Sequence, residues 1–278
     1  MTVLAASVFL GGCQLETRGP VEMVTMDQNR PLAGEAALSA TVGLDTGSLE
    51  ISSTPSDLYA LSAEYDRSGF HPEVNYEPGR EGRLDFRLKS SPMGGIHERQ
   101  NNRLRLNLGE VVPVNLKVNT GIGDARLALS RLKITQLDLE AGVGGARISI
   151  YDPNTVVCNE IRIRSGVGSL DAVGLGNLNF SRLDFEGGVG GATLDFSGQW
   201  QRDADIRIEI GVGGVSVRMP REVGVKVNAE KHFLSGLQLD GFERDRNEDY
   251  RSEKYNEKKI RATITVKTGI GGLRISWL

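Results

Sequence analysis

Residues 136–150, QLDLEAGVGGARISI, hold the pattern that decides the fold. Leu137, Leu139, Ala141 and Val143 stand at every second position; the phase slips by one at Gly144-Gly145, and the alternation resumes at Ala146, Ile148 and Ile150. A period of two marks an extended strand with one buried face. The slip requires a corner or bulge, a backbone that glycine tolerates. The same frame surrounds six Gly-hydrophobe-Gly turns, whose first glycines are Gly121, Gly142, Gly166, Gly188, Gly211 and Gly269. The first five are spaced by 21, 24, 22 and 23 residues. Around Gly211 the apolar set is Ile206, Ile208, Ile210, Val212, Val215, Val217 and Met219. An earlier, degenerate copy runs through Ala40, Val42, Leu44 and Thr46 to Leu49 and Ile51.

Strand-like repeats with such a period build a solenoid, in which each coil buries its apolar side against the next. The expected fold is all-β, a parallel β-solenoid (single-stranded β-helix) of about 22 residues per coil. Four residues before the glycine, successive coils carry Lys117, Asp138, Arg162, Asp184 and Arg207; two before it, Asn119, Glu140, Arg164, Glu186 and Glu209. In-register parallel strands would stack these side chains in ladders about 4.8 Å apart, so that Arg162 and Arg164 lie between carboxylates above and below. Each exposed pair would contribute about 0.2–1 kcal/mol, which makes the ladder a control of register more than of stability.

Composition agrees with thin aliphatic rungs and many corners: 35 glycines, 6% aromatic and 39% hydrophobic residues in 278. The net charge is −3, and the basic residues are interleaved with acidic ones, so no nucleic-acid partner is expected. The N-terminal run VLAASVFLGGC is too short to span a bilayer as a lone helix. It resembles a lipoprotein signal, with Leu10-Gly11-Gly12-Cys13 as the lipobox and the Cys13 thiol as the site of lipidation. No Lys or Arg precedes Cys13, a departure from the signal pattern. The competing reading makes residues 3–10 a first buried strand. Gln14 after the lipidated cysteine favours the outer membrane in a diderm host. Cys158, in the apolar run Val156-Val157-Cys158, is left without a disulfide partner and reads as a buried, inert thiol.

Asn102-Arg103-Leu104-Arg105-Leu106-Asn107-Leu108, then Val112-Pro113-Val114-Asn115-Leu116 leading into TGIGDARLALSRLKITQLDLEAGVGGARISI, resemble the toast-rack family of bacterial extracytoplasmic β-solenoids. The later coils resemble the related "putative adhesin" solenoids. Gly241-Phe242, Asp249-Tyr250-Arg251-Ser252 and Tyr255, before the last glycine turn, look like the closing segment of such domains. The resemblance implies a domain outside the cytoplasm, linked with envelope-stress modules and adhesin-like surface proteins, and brings no catalytic residues to transfer. The expected organisation is a signal with lipobox over 1–13 and a tether over 14–33. A toast-rack-like β region follows over 34–110, then the glycine-cornered solenoid over 111–278 with a charged excursion at 241–261.

A phosphate-binding reading of GVGG fails because each copy is followed by another strand and by no helix or Lys-Ser/Thr. Glu186 and Glu209 on neighbouring coils would approach the carboxylate spacing of a retaining glycosidase, but Arg164 and Arg207 beside them would keep both ionised. His71, His97 and His232 lack ligand spacing, so no metal or cofactor is expected. Two stretches interrupt the coil rhythm, Asp66 to Arg103 and Gly241 to Arg261, and are candidates for recognition or for end capping. The expected function is a non-enzymatic, lipid-anchored module on the periplasmic or extracellular side of the envelope. It would serve binding, adhesion or envelope-stress sensing, with the membrane and other envelope proteins or surface glycans as partners. The alternatives are a carbohydrate-active β-helix enzyme and a structural unit that stacks end to end.

Overall fold

A computed structural model describes residues 21–91, 101–229, 236–244 and 249–278. Cys13 and its lipobox, Met93, His97 and His232 lie outside the described residues. The protein is all-β, and its described strands join one large, mostly parallel sheet. The N-terminal half holds β1 (Met23–Pro31), β2 (Ala37–Thr46), β3 (Ser48–Thr54), β4 (Asp57–Asp66), β5 (Phe70–Glu77), β6 (Glu81–Ser90), β7 (Arg103–Gly109), β8 (Pro113–Ile122) and β9 (Ala125–Ala128). Long strands follow: β10 (Lys133–Ser149), β11 (Cys158–Val173), β12 (Phe180–Asp195) and β13 (Ala204–Met219). The C-terminal part holds β14 (Gly224–Ala229), β15 (Gly236–Leu239), β16 (Phe242–Arg244), β17 (Tyr250–Ser252) and β18 (Arg261–Trp277).

The parallel stack runs through β8 and β9 to β10, β11, β12, β13 and β18, with first glycines and flanking rows in step at every rung. Leu116, Leu137, Ile161, Leu183, Ile206 and Ile264, each five residues before the first glycine, form one fully buried column. Burying one such aliphatic side chain contributes about 1.5–3 kcal/mol. At both ends the stacking order departs from chain order. The rung of β6 and β7 lies outside that of β2 and β3, and the rung of β14 and β15 lies outside β18, the last strand in sequence. Antiparallel strands finish the stack: β5 on β6, β4 on β7 and β1 on β4 at one end, β17 on β14 and β16 on β17 at the other. The stretch after Asp66 is therefore a hairpin built into the sheet as far as Ser90. In the 241–261 stretch, the Phe242 ring stacks on Trp277 with centroids 5.3 Å apart.

The corner departs from simple alternation. A Cβ at Gly142, Gly166, Gly188 or Gly269 would overlap the carbonyl oxygen of the glycine at the same place in the neighbouring rung. The side-chain direction there points along the stack, so the chain has rotated out of its pleat. The next residue swings to the surface, and a second glycine, with φ between 135° and 146° at Gly123, Gly144, Gly168, Gly190, Gly213 and Gly271, turns the strand inward again. Ile122, Val143, Val167, Val189, Val212 and Ile270, which pattern alone assigns to the buried face, are consequently 45–73% exposed.

Gly190 has φ +139°, and a Cβ there would overlap the Gly168 carbonyl, whereas the nearest atom to a Cβ at its neighbour Gly191 is 3.9 Å away. Gly190→Ala should lower unfolding free energy by about 3 kcal/mol or more, and Gly191→Ala by less than about 0.5 kcal/mol. Urea denaturation followed by circular dichroism checks the contrast.

Candidate functional site

The glycine edge divides two surfaces. On one side, pairing sets Asp138 between Lys117 and Arg162, and Asp184 between Arg162 and Arg207. In the parallel row two residues closer to the glycine, Glu140 lies between Asn119 and Arg164, and Glu186 between Arg164 and Glu209, with Lys267 beyond. The ion pairs are lopsided. Arg164 reaches back to Asp138 and Glu140, 3.4 Å from each, and Arg162 contacts Glu160 at 3.0 Å and Asp138 at 3.9 Å. Arg207 turns along its own strand to Glu209. Among the described residues, Asp184 and Glu186 form no ion pair closer than 4.0 Å, although both sit in register beside arginines. Asp138 draws both guanidiniums because it is buried, where an unsatisfied carboxylate is costly.

Between the charged row and the exposed Ile/Val row lies a trough of about 540 Å³, floored by Gly142, Gly166, Gly188, Gly211 and Gly269. On the other flank a groove of about 660 Å³ is floored by small residues such as Ser169, Gly191, Ala192 and Gly214. A third recess, about 440 Å³, lies beside Trp277 with Arg221, Lys254 and Lys258 at its walls. No group of three or more His, Cys, Asp or Glu side chains placed to hold a metal occurs among the described residues. His71 is half-exposed on the edge strand β5, 3.9 Å from Glu73. Cys158 is fully buried, and desolvation pushes its thiol up to about 12; the thiol donates a hydrogen bond to the Glu160 carbonyl.

One polar cluster has no counterpart in the sequence pattern. Glu35, almost fully buried, accepts a hydrogen bond from the Tyr76 hydroxyl at 2.7 Å and one from the Ala33 N–H at 2.8 Å, and Arg30 lies over the Tyr76 ring. The Tyr76 bond, then the backbone bonds, hold the Glu35 carboxyl below the usual range, against desolvation. The exposed Ile/Val row also eludes simple alternation; its signal is the glycine on either side, which releases the middle residue from the pleat.

A large, mostly parallel sheet cornered on glycine is the architecture of the toast-rack class, and sequence comparison agrees. Residues 19–172 and 154–218 each match the family described as the N-terminal domain of toast_rack, DUF2154. The chain belongs to this family. No curated protein matches it. Among solved structures it is similar to a "putative cell adhesion protein" from Clostridium sporogenes, with 20% identity, covering 92% of this chain and 100% of that one, at a TM-score of 0.49. A "putative adhesin" from Bacteroides fragilis is similar at 12% identity, covering 92% and 97%, with a TM-score of 0.45.

Two outcomes test the geometry. Asp138→Ala should cost about 1–2 kcal/mol, since it removes the buried carboxylate that Arg162 and Arg164 share, whereas Asp184→Ala should cost less than about 0.5 kcal/mol; equal costs would contradict the lopsided network. In the folded chain with Cys13 replaced by serine, Cys158 should resist a thiol reagent at pH 8 and react fully once urea unfolds the protein.

Proposed function

We propose that the chain is a non-enzymatic, lipid-anchored β-solenoid of the cell envelope, with about 22 residues per coil. It acts as a binding and adhesion module, or as the extracytoplasmic part of an envelope-stress sensor. The observation that carries this reading is the register of the outer rows. Six successive rungs present the same surface positions, which yields a long, rigid, repetitive face suited to a polymeric glycan or another envelope protein. Of the Glu186–Glu209 pair, Glu209 is engaged by Arg207, which speaks for a solvated charge surface and against an acid–base pair, whereas Arg164 turns to Glu140 and Asp138 and leaves Glu186 without the arginine expected beside it. End-to-end stacking is the weaker reading, because the outermost strands β1 and β5 are antiparallel additions that carry Pro31 and Pro72.

Replacing Cys13 by alanine should move the protein from the membrane fraction into the soluble one; unchanged partitioning would defeat the lipid anchor. The non-enzymatic part falls if the wild-type chain turns over any envelope glycan and Glu186→Gln or Glu209→Gln abolishes that turnover. Binding is measured by crosslinking in intact membranes, where a ligand captured along the charged row is expected to be lost with Glu140→Lys and Glu186→Lys together.

A further inference from the structure

The outward row of Ile122, Val143, Val167, Val189, Val212 and Ile270 is paired rung to rung without a gap. At about 4.8 Å per rung it forms an exposed aliphatic ridge roughly 24 Å long. The corner does not demand this chemistry. The flanking glycines send the residue outward whatever it is, and threonine, equally β-branched, would stack as well and welcome water. Six aliphatic β-branched residues in six turns therefore call for a surface that excludes water from them.

We propose that this edge is a homodimer interface, in which the ridge of one copy seats in the glycine-floored trough of a second copy about a two-fold axis parallel to the stack. The two shapes adjoin, because each floor glycine is the chain neighbour of a ridge residue, and the same rungs set the pitch of both. A two-fold axis in this direction matches rungs of equal rank. The charged wall of one copy then lies over the row Gly145, Ser169, Gly191 and Gly214 of the other, so that long side chains enter the second groove where that surface is small. The charges match at two of the three rungs where both rows carry them: Glu140 comes beside Arg147 of the second copy and Arg164 beside its Asp171, while at the end of the stack Lys267 comes beside Arg274. The opposite, antiparallel arrangement would bring Glu140 against Glu209. Ridge and trough together supply about twenty residues per copy, the lower end of what a stable interface uses.

The test uses the full chain with Cys13→Ser, in which buried Cys158 leaves no accessible thiol. Sedimentation should find a dimer at about 100 µM, a concentration that separates micromolar association from none. Val189→Asp with Val212→Asp should weaken dimerisation by about 100-fold or more, because the new carboxylates would be buried against the Glu186 and Glu209 wall of the trough, while Val189→Thr with Val212→Thr should leave more dimer than the Asp pair. Circular dichroism shows that each variant is folded. Mixing a Ser165→Cys pool with a Val167→Cys pool under mild oxidation should give a mixed disulfide that neither pool forms alone. A monomer at that concentration, or a dimer that survives the Asp pair, overturns the proposal; a dimer without the mixed disulfide overturns its ridge-in-trough geometry.

Discussion

The constraint on which the rest of this structure depends is the close approach of backbones along the glycine edge. At successive rungs the carbonyl of one glycine lies where the Cβ of the next would be, first in the row through Gly142, Gly166 and Gly188, then in the row through Gly144, Gly168, Gly190 and Gly213. A slip of one residue in any strand would drive a side chain into a carbonyl, an overlap costing several kcal/mol. An exposed ion pair is worth about 0.2–1 kcal/mol and cannot compete. Register is therefore imposed by the glycines, and the charge ladder follows from it. Asp184 and Glu186 make the point: they keep their places beside arginines that bond elsewhere.

This ordering of effects explains what was legible in the sequence. Alternation and the recurring glycine pair fix which residues of one rung face the core, and because every rung repeats the frame, they also fix what lies above and below. The rows through Asp138 and Glu140 could be written down before any coordinates. Where a rung lacks the glycine turn, that inference ends. Residues 81–109 hold no Gly-hydrophobe-Gly, and nothing in the alternation of 81–88 and 103–109 says that these strands pack outside 37–54 and not after them. At the other end, nothing in the residues between Met219 and the charged excursion at 241–261 says that they hold the rung β14–β15, which packs beyond β18. Periodicity describes a strand's faces and is silent about which neighbour it chooses.

The exposed ridge was hidden for a different reason. A Val between two glycines satisfies period-two counting as well as Val118 or Ile163 does, and hydrophobicity alone assigns all three to the core. What separates them is backbone geometry: Val118 and Ile163 are fully buried, while Val167 stands half in solvent after a glycine that has turned the chain out of the sheet. The Glu35–Tyr76–Arg30 cluster is illegible for a third reason, since it joins β1 and the β1–β2 connection to β5, which only tertiary packing brings beside them.

The stacking order also gives the molecule a direction. Residue 21 leads into β1, which lies at the end of the stack farthest from β14 and β15, with β4, β7 and β3 between it and the main run of rungs. Any tether that precedes residue 21 therefore starts at one pole. A symmetry axis parallel to the stack leaves both copies of that pole side by side, whereas an axis across the stack would point one pole away. Thus the glycine edge, which fixes register within a chain, would also align two chains, because ridge and trough are both products of the same pair of glycines at each rung.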